Sequence, residues 1–165
     1  MSLEKSLDLL AEAVRQPNDR DDDEQIWLTR FLVVRTCGYL EQVVQESVRS
    51  HLQSMAGGTV KSFSLSWMTK SRNPSPDNLL DVVGRFDESW RTELQDMLDA
   101  DDKFLHRELA MLVHRRHQIA HGLNEGMNSR KALDLVKIAK SLADWFIRRF
   151  NPDAQRRLRA NAQGG

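Results

Sequence analysis

The stretch IWLTRFLVVRTCGYLEQVVQESVRSHLQSM, Ile26–Met55, is the longest apolar-periodic segment of this 165-residue chain. Its apolar residues recur mostly at spacings of three and four, which is the period of a helix with one buried face. The spacing predicts one long helix that forms the spine of a bundle and ends at Gly57 and Gly58. The predicted inward stripe comprises Trp27, Phe31, Val34, Cys37, Tyr39, Leu40, Val43, Val44, Val48 and Leu52.

The segments before and after this spine differ in character. A short helix is predicted over 3–15, and the following QPNDRDDDEQ is either a linker or a charged cap for the long helix. After the spine, TVKSFSLSWMTKSRN alternates Phe63, Leu65 and Trp67 without a partner strand. We therefore predict a loop that folds these aromatic side chains back onto the helices.

Start and stop signals divide the rest of the chain into further helices. Ser75 is a predicted N-cap with Pro76 at the first helical position, Gly84 is a predicted break, and Asp87 caps the continuation. Another helix is predicted to open at Asp101 and Asp102. The last predicted signals are an end at Gly122, an N-cap at Ser129 and a stop at Pro152. The fold class is therefore all-α, a bundle of about five to six helices.

The length fits one domain, which we divide into an N-terminal helix and acidic linker (1–23), a helical domain (24–152) and a basic C-terminal tail (153–165). No apolar run approaches the roughly 20 residues that cross a bilayer, and the first residues lack the continuous apolar core of a secretory signal. We expect a cytoplasmic protein without membrane contact. A single cysteine, Cys37, cannot form an internal disulfide, and we expect it to be buried.

The net charge of zero conceals a marked asymmetry between the two parts of the chain. Residues 1–102 hold 11 Lys and Arg against 19 Asp and Glu, whereas residues 103–165 hold 13 against 5. A basic C-terminal part favours contact with phosphate, although surface charge that only interacts with water gives the same pattern. The basic run of Arg148, Arg149, Arg156, Arg157 and Arg159 is open to the same two interpretations.

The octapeptide RRHQIAHG, residues 115–122, concentrates cations and imidazoles at the end of a predicted helix. Arg116 and His121 suit phosphate chemistry, because guanidinium binds two phosphate oxygens and imidazole transfers protons near neutral pH. Cations at a helix C-terminus also simply complement the helix dipole. A zinc site at His114, His117 and His121 is a weaker alternative, because the spacing lacks the glutamate of HExxH enzymes and a fourth ligand.

The segment LAMLVHRRHQIAHG resembles the signature of the HEPN superfamily, in which Arg is followed after four to six residues by His. Arg116 and His121 have four residues between them, His117 occupies the polar position after the Arg, and Gly122 follows. With FLVVRTCGYLEQVVQESV, NPSPDNLLDVVGRF and a closing helix, about residues 24–150 are similar to the RiboL-PSP type of HEPN domain.

The resemblance implies a homodimer in which two motifs face one cleft, and a ribonuclease that needs no metal or other cofactor. It assigns catalysis to Arg116 and His121, and it implies a toxin of a toxin–antitoxin system or an antiviral effector whose partners are RNA and a cognate antitoxin. Two-fold symmetry also supplies the second imidazole that acid–base cleavage of RNA requires. The alternative is a non-catalytic HEPN module that binds a nucleotide or a partner.

Several further residues are candidates for supporting roles. His117 is predicted to support the catalytic pair, given its i+4 relation to His121. Glu41 either orients Arg116 through a charge-assisted pair or is an exposed residue of the long helix. We assign RNA binding to His114, Arg115 and Asn124, although Asn124 also suits a turn.

Overall fold

The computed structural model describes residues 2–16, 20–66, 72–122 and 127–151. Within these ranges the chain forms helices and no strand, which confirms the all-α prediction. The six helices are α1 (Leu3–Arg15), α2 (Asp22–Met55), α3 (Gly58–Ser66), α4 (Pro76–Gly84), α5 (Glu88–Ala120) and α6 (Ser129–Phe150). None of them is both long and apolar enough to cross a membrane.

The central element is α2, which packs mainly against α6 and also contacts α1, α3 and α5. It begins four residues earlier than predicted because Asp21 caps it, accepting a hydrogen bond from the backbone N of Glu24 at 2.7 Å. Asp22, Asp23 and Glu24 occupy the first turn, where negative charge stabilises the positive end of the helix dipole. The acidic run therefore serves as the cap of α2.

The buried face of α2 differs from the predicted stripe in the part of the helix before Cys37. Trp27 is 66% exposed and Phe31 is 53% exposed, so their predicted burial is wrong. Thr29 and Thr36 are buried instead, and Thr36 satisfies its hydroxyl by donating to the Leu32 carbonyl oxygen at 2.7 Å. Neighbouring helices cover the side of α2 that carries the threonines, whereas the aromatic pair lies on another side. From Cys37 onward the predicted stripe is buried or half-buried.

The segment after α2 was predicted as a loop, but its residues 58–66 form α3. None of the α3 residues is buried, and Phe63 is 65% exposed, so this side chain does not fold back into the core. Leu65 is half-buried, and Trp67 lies outside the described residues. Alternation of apolar residues in so short a segment indicates neither strand nor helix. In the structure the segment is a helix that contacts α2.

The caps predicted for α4 and α5 are present. The Ser75 hydroxyl accepts from the backbone N of Asn78, Pro76 begins the helix, and the Asp87 carboxylate accepts from the backbone N of Ser89. α4 also ends at Gly84, as predicted.

α5 is interrupted where a new helix was predicted to open. Ala100 has an extended backbone, and Asp101, Asp102 and Lys103 all have positive φ. These aspartates therefore form a left-handed break between two helical halves rather than an N-cap. Arg107 holds the break by donating to the Asp102 carbonyl oxygen at 2.6 Å and to its carboxylate at 3.1 Å.

The core is built around α6, which buries one face along its whole length from Ala132 to Phe150. Its N-cap is Asn128, whose side chain accepts from the backbone N of Lys131 at 2.7 Å, so the prediction of Ser129 as the cap is wrong by one residue. α1 joins the same core through Leu7, Ala11 and Val14. The proposed boundary after residue 23 stays a prediction.

Candidate functional site

The histidine-rich end of α5 is positioned by the second half of that helix. Leu109 and Leu112 are fully buried, and Glu108, which is 9% exposed, accepts a hydrogen bond from the Lys131 ammonium at 2.7 Å. Lys131 belongs to the first turn of α6. Because a buried charge is costly unless it is paired, this ion pair fixes the second half of α5 against the beginning of α6.

The helix ends inside the octapeptide. His121 is the C-cap, and its backbone N donates to the carbonyl oxygens of His117 at 3.1 Å and Gln118 at 3.2 Å. Gly122 follows with a φ of +72°, a conformation that glycine adopts at little cost and other residues adopt with strain. The predicted end at Gly122 is therefore confirmed, and it places the exposed His121 side chain on the last turn.

Two of the three predicted histidines contact each other. The rings of His117 and His121 lie edge to face with their centroids 4.3 Å apart, as expected for residues four positions apart on a helix. Both side chains are exposed, and His114, one turn earlier, is exposed as well. The end of α5 therefore presents a pair of imidazoles to solvent.

Arg116 lies on a different side of α5 from this histidine pair and is half-buried towards α2. Burial raises the pKa of the Cys37 thiol to about 11, while the positive charge of Arg116 lowers it and the negative charge of Glu41 raises it. Cys37 and Glu41 are one turn apart on α2. The two predicted site residues Arg116 and Glu41 therefore lie near the same short segment of that helix. At neutral pH Cys37 is a protonated, buried thiol, which agrees with the structural role predicted for it.

Arg115, predicted to bind RNA, is half-buried and donates to the Gln118 side-chain oxygen at 3.3 Å. Gln118 is only 8% exposed, although it stands among charged residues in the sequence. Nothing in its sequence environment singled it out, because polar residues in a charged stretch are usually exposed. The contact with Arg115 gives this buried amide a partner.

The remaining candidate residues are Asn124 and the arginines of the basic run, of which the structure describes only two. Asn124 and Arg156, Arg157 and Arg159 of the basic run lie outside the described residues. Within the described part of that run, Arg148 is exposed, whereas Arg149 pairs with Glu93 and stacks near the rings of Trp90 and Trp145. Among the described ranges, no three or more His, Cys, Asp or Glu side chains group together to hold a metal ion.

An exposed aromatic face lies near the start of α2. We define it as Trp27 and Phe31, with the Arg30 guanidinium 5.0 Å from the centre of the Trp27 ring. The hydroxyl of Thr29 lies 3.0 Å from that of Ser129, the first residue of α6. Trp27 and Phe31 are each two residues from Thr29, so the aromatic face lies on the side of α2 opposite this contact.

Comparison with known proteins identifies the kind of domain that carries this arrangement. The model of the RiboL-PSP-HEPN domain matches residues 2–151. Neither the comparison with curated proteins nor that with solved structures gave a match. The matched range includes α1 to α6, so the family resemblance inferred from the sequence is confirmed over nearly the whole chain.

Proposed function

Since the chain belongs to the RiboL-PSP-HEPN family, we propose that it is a metal-independent endoribonuclease in which His121 and Arg116 carry out the cleavage of RNA. The observation that carries the proposal is the exposed histidine pair at the end of α5, in which the ring of His121 contacts that of His117. A solvent-facing imidazole at a helix end is accessible to a polyanionic chain that cannot enter the core of the bundle.

The proposed reaction is attack of an RNA 2′-hydroxyl on the adjacent phosphorus. One imidazole removes the proton of the attacking hydroxyl, the P–O bond to the 5′-oxygen breaks, and a second imidazole gives that oxygen a proton. Guanidinium binds phosphate oxygens in pairs, so Arg116 would stabilise the negative charge that builds on them. His117 would support His121, and Glu41 would orient Arg116 from α2.

The reaction needs an acid and a base on opposite sides of the phosphorus, whereas each chain provides one His121. We therefore propose a homodimer whose two octapeptides share one cleft. The aromatic face of Trp27 and Phe31 supports this part of the proposal, because large apolar side chains exposed together mark interaction surfaces.

The biological role that we propose is that of a toxin or an antiviral effector, held in check by a partner such as a cognate antitoxin. Expression of the active protein should then arrest growth, and His121→Ala should abolish this toxicity. A protein that binds RNA or a nucleotide without cutting it would instead fit the non-catalytic HEPN module.

The decisive experiment is incubation of purified protein with total RNA in the presence of a chelator. Removing a group that transfers a proton or stabilises the transition state typically costs about 10²- to 10⁴-fold, so we expect losses of this size in His121→Ala and Arg116→Ala. His117→Ala should lose less, because it acts through His121.

The matched controls are His106→Ala, on α5 far from its end, and Arg49→Ala, an exposed residue of α2 that pairs with Glu46. Both should cleave like the wild type. Full cleavage by the His121 and Arg116 variants would disprove the assignment of the residues, and loss of wild-type cleavage on adding chelator would disprove metal independence.

A further inference from the structure

A cavity of about 500 Å³ lies between α2, α3 and α4, outside the histidine pair. From α2 it is lined by residues at helical spacing, from Glu41 to Leu52, and from α4 by residues between Asn78 and Phe86. This volume is within the range of about 300 to 1,000 Å³ typical of small-molecule sites. The cavity is therefore large enough to receive a ligand of the size of a nucleotide.

The two ends of the cavity differ in their position relative to Arg116. Phe86 packs against His51 with ring centroids 5.6 Å apart, which places the α4 end of the cavity beside Leu52. Glu41 lies eleven residues earlier on α2, about 16 Å away along the helix. Because Arg116 approaches α2 near Cys37, the Glu41 end of the cavity is the end nearer to the octapeptide.

The lining combines flat apolar surface with amides. Val44, Val48 and Val82 provide aliphatic walls, and Phe63 and Phe86 provide aromatic rings. Phe63 is 65% exposed although it lies at the cavity, so its ring is accessible to a bound molecule. Amide groups are contributed by three further lining residues, Gln45, Asn73 and Asn78.

Two guanidinium groups converge at the α4 side of the cavity. Arg72 and Arg85 both bind the same oxygen, Oδ2 of Asp81, at 2.6 Å and 3.1 Å. Desolvation acts to raise the pKa of Asp81, but hydrogen bonds and charges from Arg85 and Arg72 outweigh it and lower the pKa. The carboxylate thus stays ionised and fixes two cations side by side, and the three groups together carry a charge of +1.

We infer that this cavity is a subsite for one unstacked nucleotide of the RNA, within a few nucleotides of the bond that is cleaved. The inference rests on the proposed ribonuclease function. Single-stranded RNA is recognised by turning a base out, stacking it on aromatic rings and hydrogen-bonding its edge, and the cavity offers rings and amides for both. The paired guanidiniums suit the phosphate of the same nucleotide.

The composition of the cavity favours a nucleotide over other ligands of similar size. A purely apolar molecule would form no hydrogen bonds with the amides and guanidiniums. Inorganic phosphate would leave the aromatic and aliphatic walls uncovered. A nucleotide joins a flat ring, with polar atoms at its edge, to an anion. The same chemistry describes a free mononucleotide, so the experiment separates the two sources.

The first arm measures binding of each of the four nucleoside 5′-monophosphates by calorimetry, with ribose 5-phosphate and inorganic phosphate as comparison ligands. At least one mononucleotide should bind more tightly than both. Val82→Trp fills the cavity, and Arg85→Gln removes one cation; each should weaken binding by about ten- to a hundredfold, the usual effect of losing a charge-assisted bond. Val60→Trp and Arg49→Gln make the same changes outside the lining and should bind like the wild type.

The second arm tests RNA itself, with the non-cleaving His121→Ala protein as background. Binding of a single-stranded oligoribonucleotide should weaken when Val82→Trp is added and stay unchanged with Val60→Trp. In proteins that retain His121, mapping of cut sites should show that Val82→Trp alters the base preference at a position within a few nucleotides of the cut. A cavity that binds mononucleotides but leaves RNA binding and cut sites unchanged would overturn the inference in favour of a free nucleotide.

The two proposals fail in different ways. If the wild type cuts RNA and the cavity variants bind and cut as it does, the subsite is disproved and the ribonuclease stands. If no protein cuts RNA but oligonucleotide binding still depends on Val82, the ribonuclease is disproved, and the cavity remains an RNA-binding site. Unfolded variants are identified by circular dichroism; Asn78→Ala, a smaller change in the same lining, then replaces Val82→Trp.

Discussion

Replacing the exposed aromatic face should separate the proposed homodimer into monomers and thereby stop cleavage. The change is the double substitution Trp27→Ser and Phe31→Ser on α2. Both side chains are already exposed in the single chain, at 66% and 53%, so their removal leaves the core intact. The monomer should therefore keep its helical content and its stability.

The expected magnitude follows from these exposures. If fully accessible Trp and Phe side chains present about 250 and 200 Å², the two residues expose about 270 Å² in each protomer. At about 25 cal/mol per Å², burying this surface in both protomers is worth roughly 13 kcal/mol before the costs of association. If only a third of this is realised, about 4 kcal/mol, the dissociation constant should still rise about a thousandfold.

The assay is sedimentation velocity over a concentration series, combined with RNA cleavage at the same concentrations. The control is Ile147→Ser, an apolar residue of α6 that is 48% exposed and lies eighteen residues, about 27 Å along the helix, from Ser129. The control should sediment and cleave as the wild type does. A double variant that remains dimeric, or a monomeric wild type that cuts RNA at full rate, would refute the argument.

Two further predictions concern the stability of the site. The Cys37 thiol ionises near 9.0 in the unfolded chain and near 11 in the folded one, so the free energy of unfolding should fall by about 3 kcal/mol as pH rises through this window. Cys37→Ala should lack this part of the fall in denaturant titrations, and parallel pH profiles would contradict the pKa. Gly122→Ala should lower the free energy of unfolding by about 1 kcal/mol, because φ is +72° there, and should lower cleavage by displacing His121. The control is Gly38→Ala, inside α2. An equal effect of both changes on stability would exclude the backbone explanation.

Much of the candidate site follows from short-range rules that act within one helix. Ser75, Asp87 and Gly122 were identified because caps and helix ends depend on a few neighbouring residues and on backbone conformation. The contact of His117 with His121 follows from the helical repeat. The break at Asp101–Lys103 was anticipated as a boundary, although its left-handed geometry was not.

The sequence alone determined that the fold class is all-α, that α2 is the longest of the described helices and that the histidine pair ends a helix, because these features depend on residue spacing along the chain. Only the tertiary structure decided which side of α2 is covered, which left Trp27 and Phe31 exposed and buried Thr29. It also turned residues 58–66 into a helix and formed an open cavity between α2, α3 and α4. Periodicity shows that a helix has an apolar face, but the angle at which its neighbours pack determines which part of that face is removed from water.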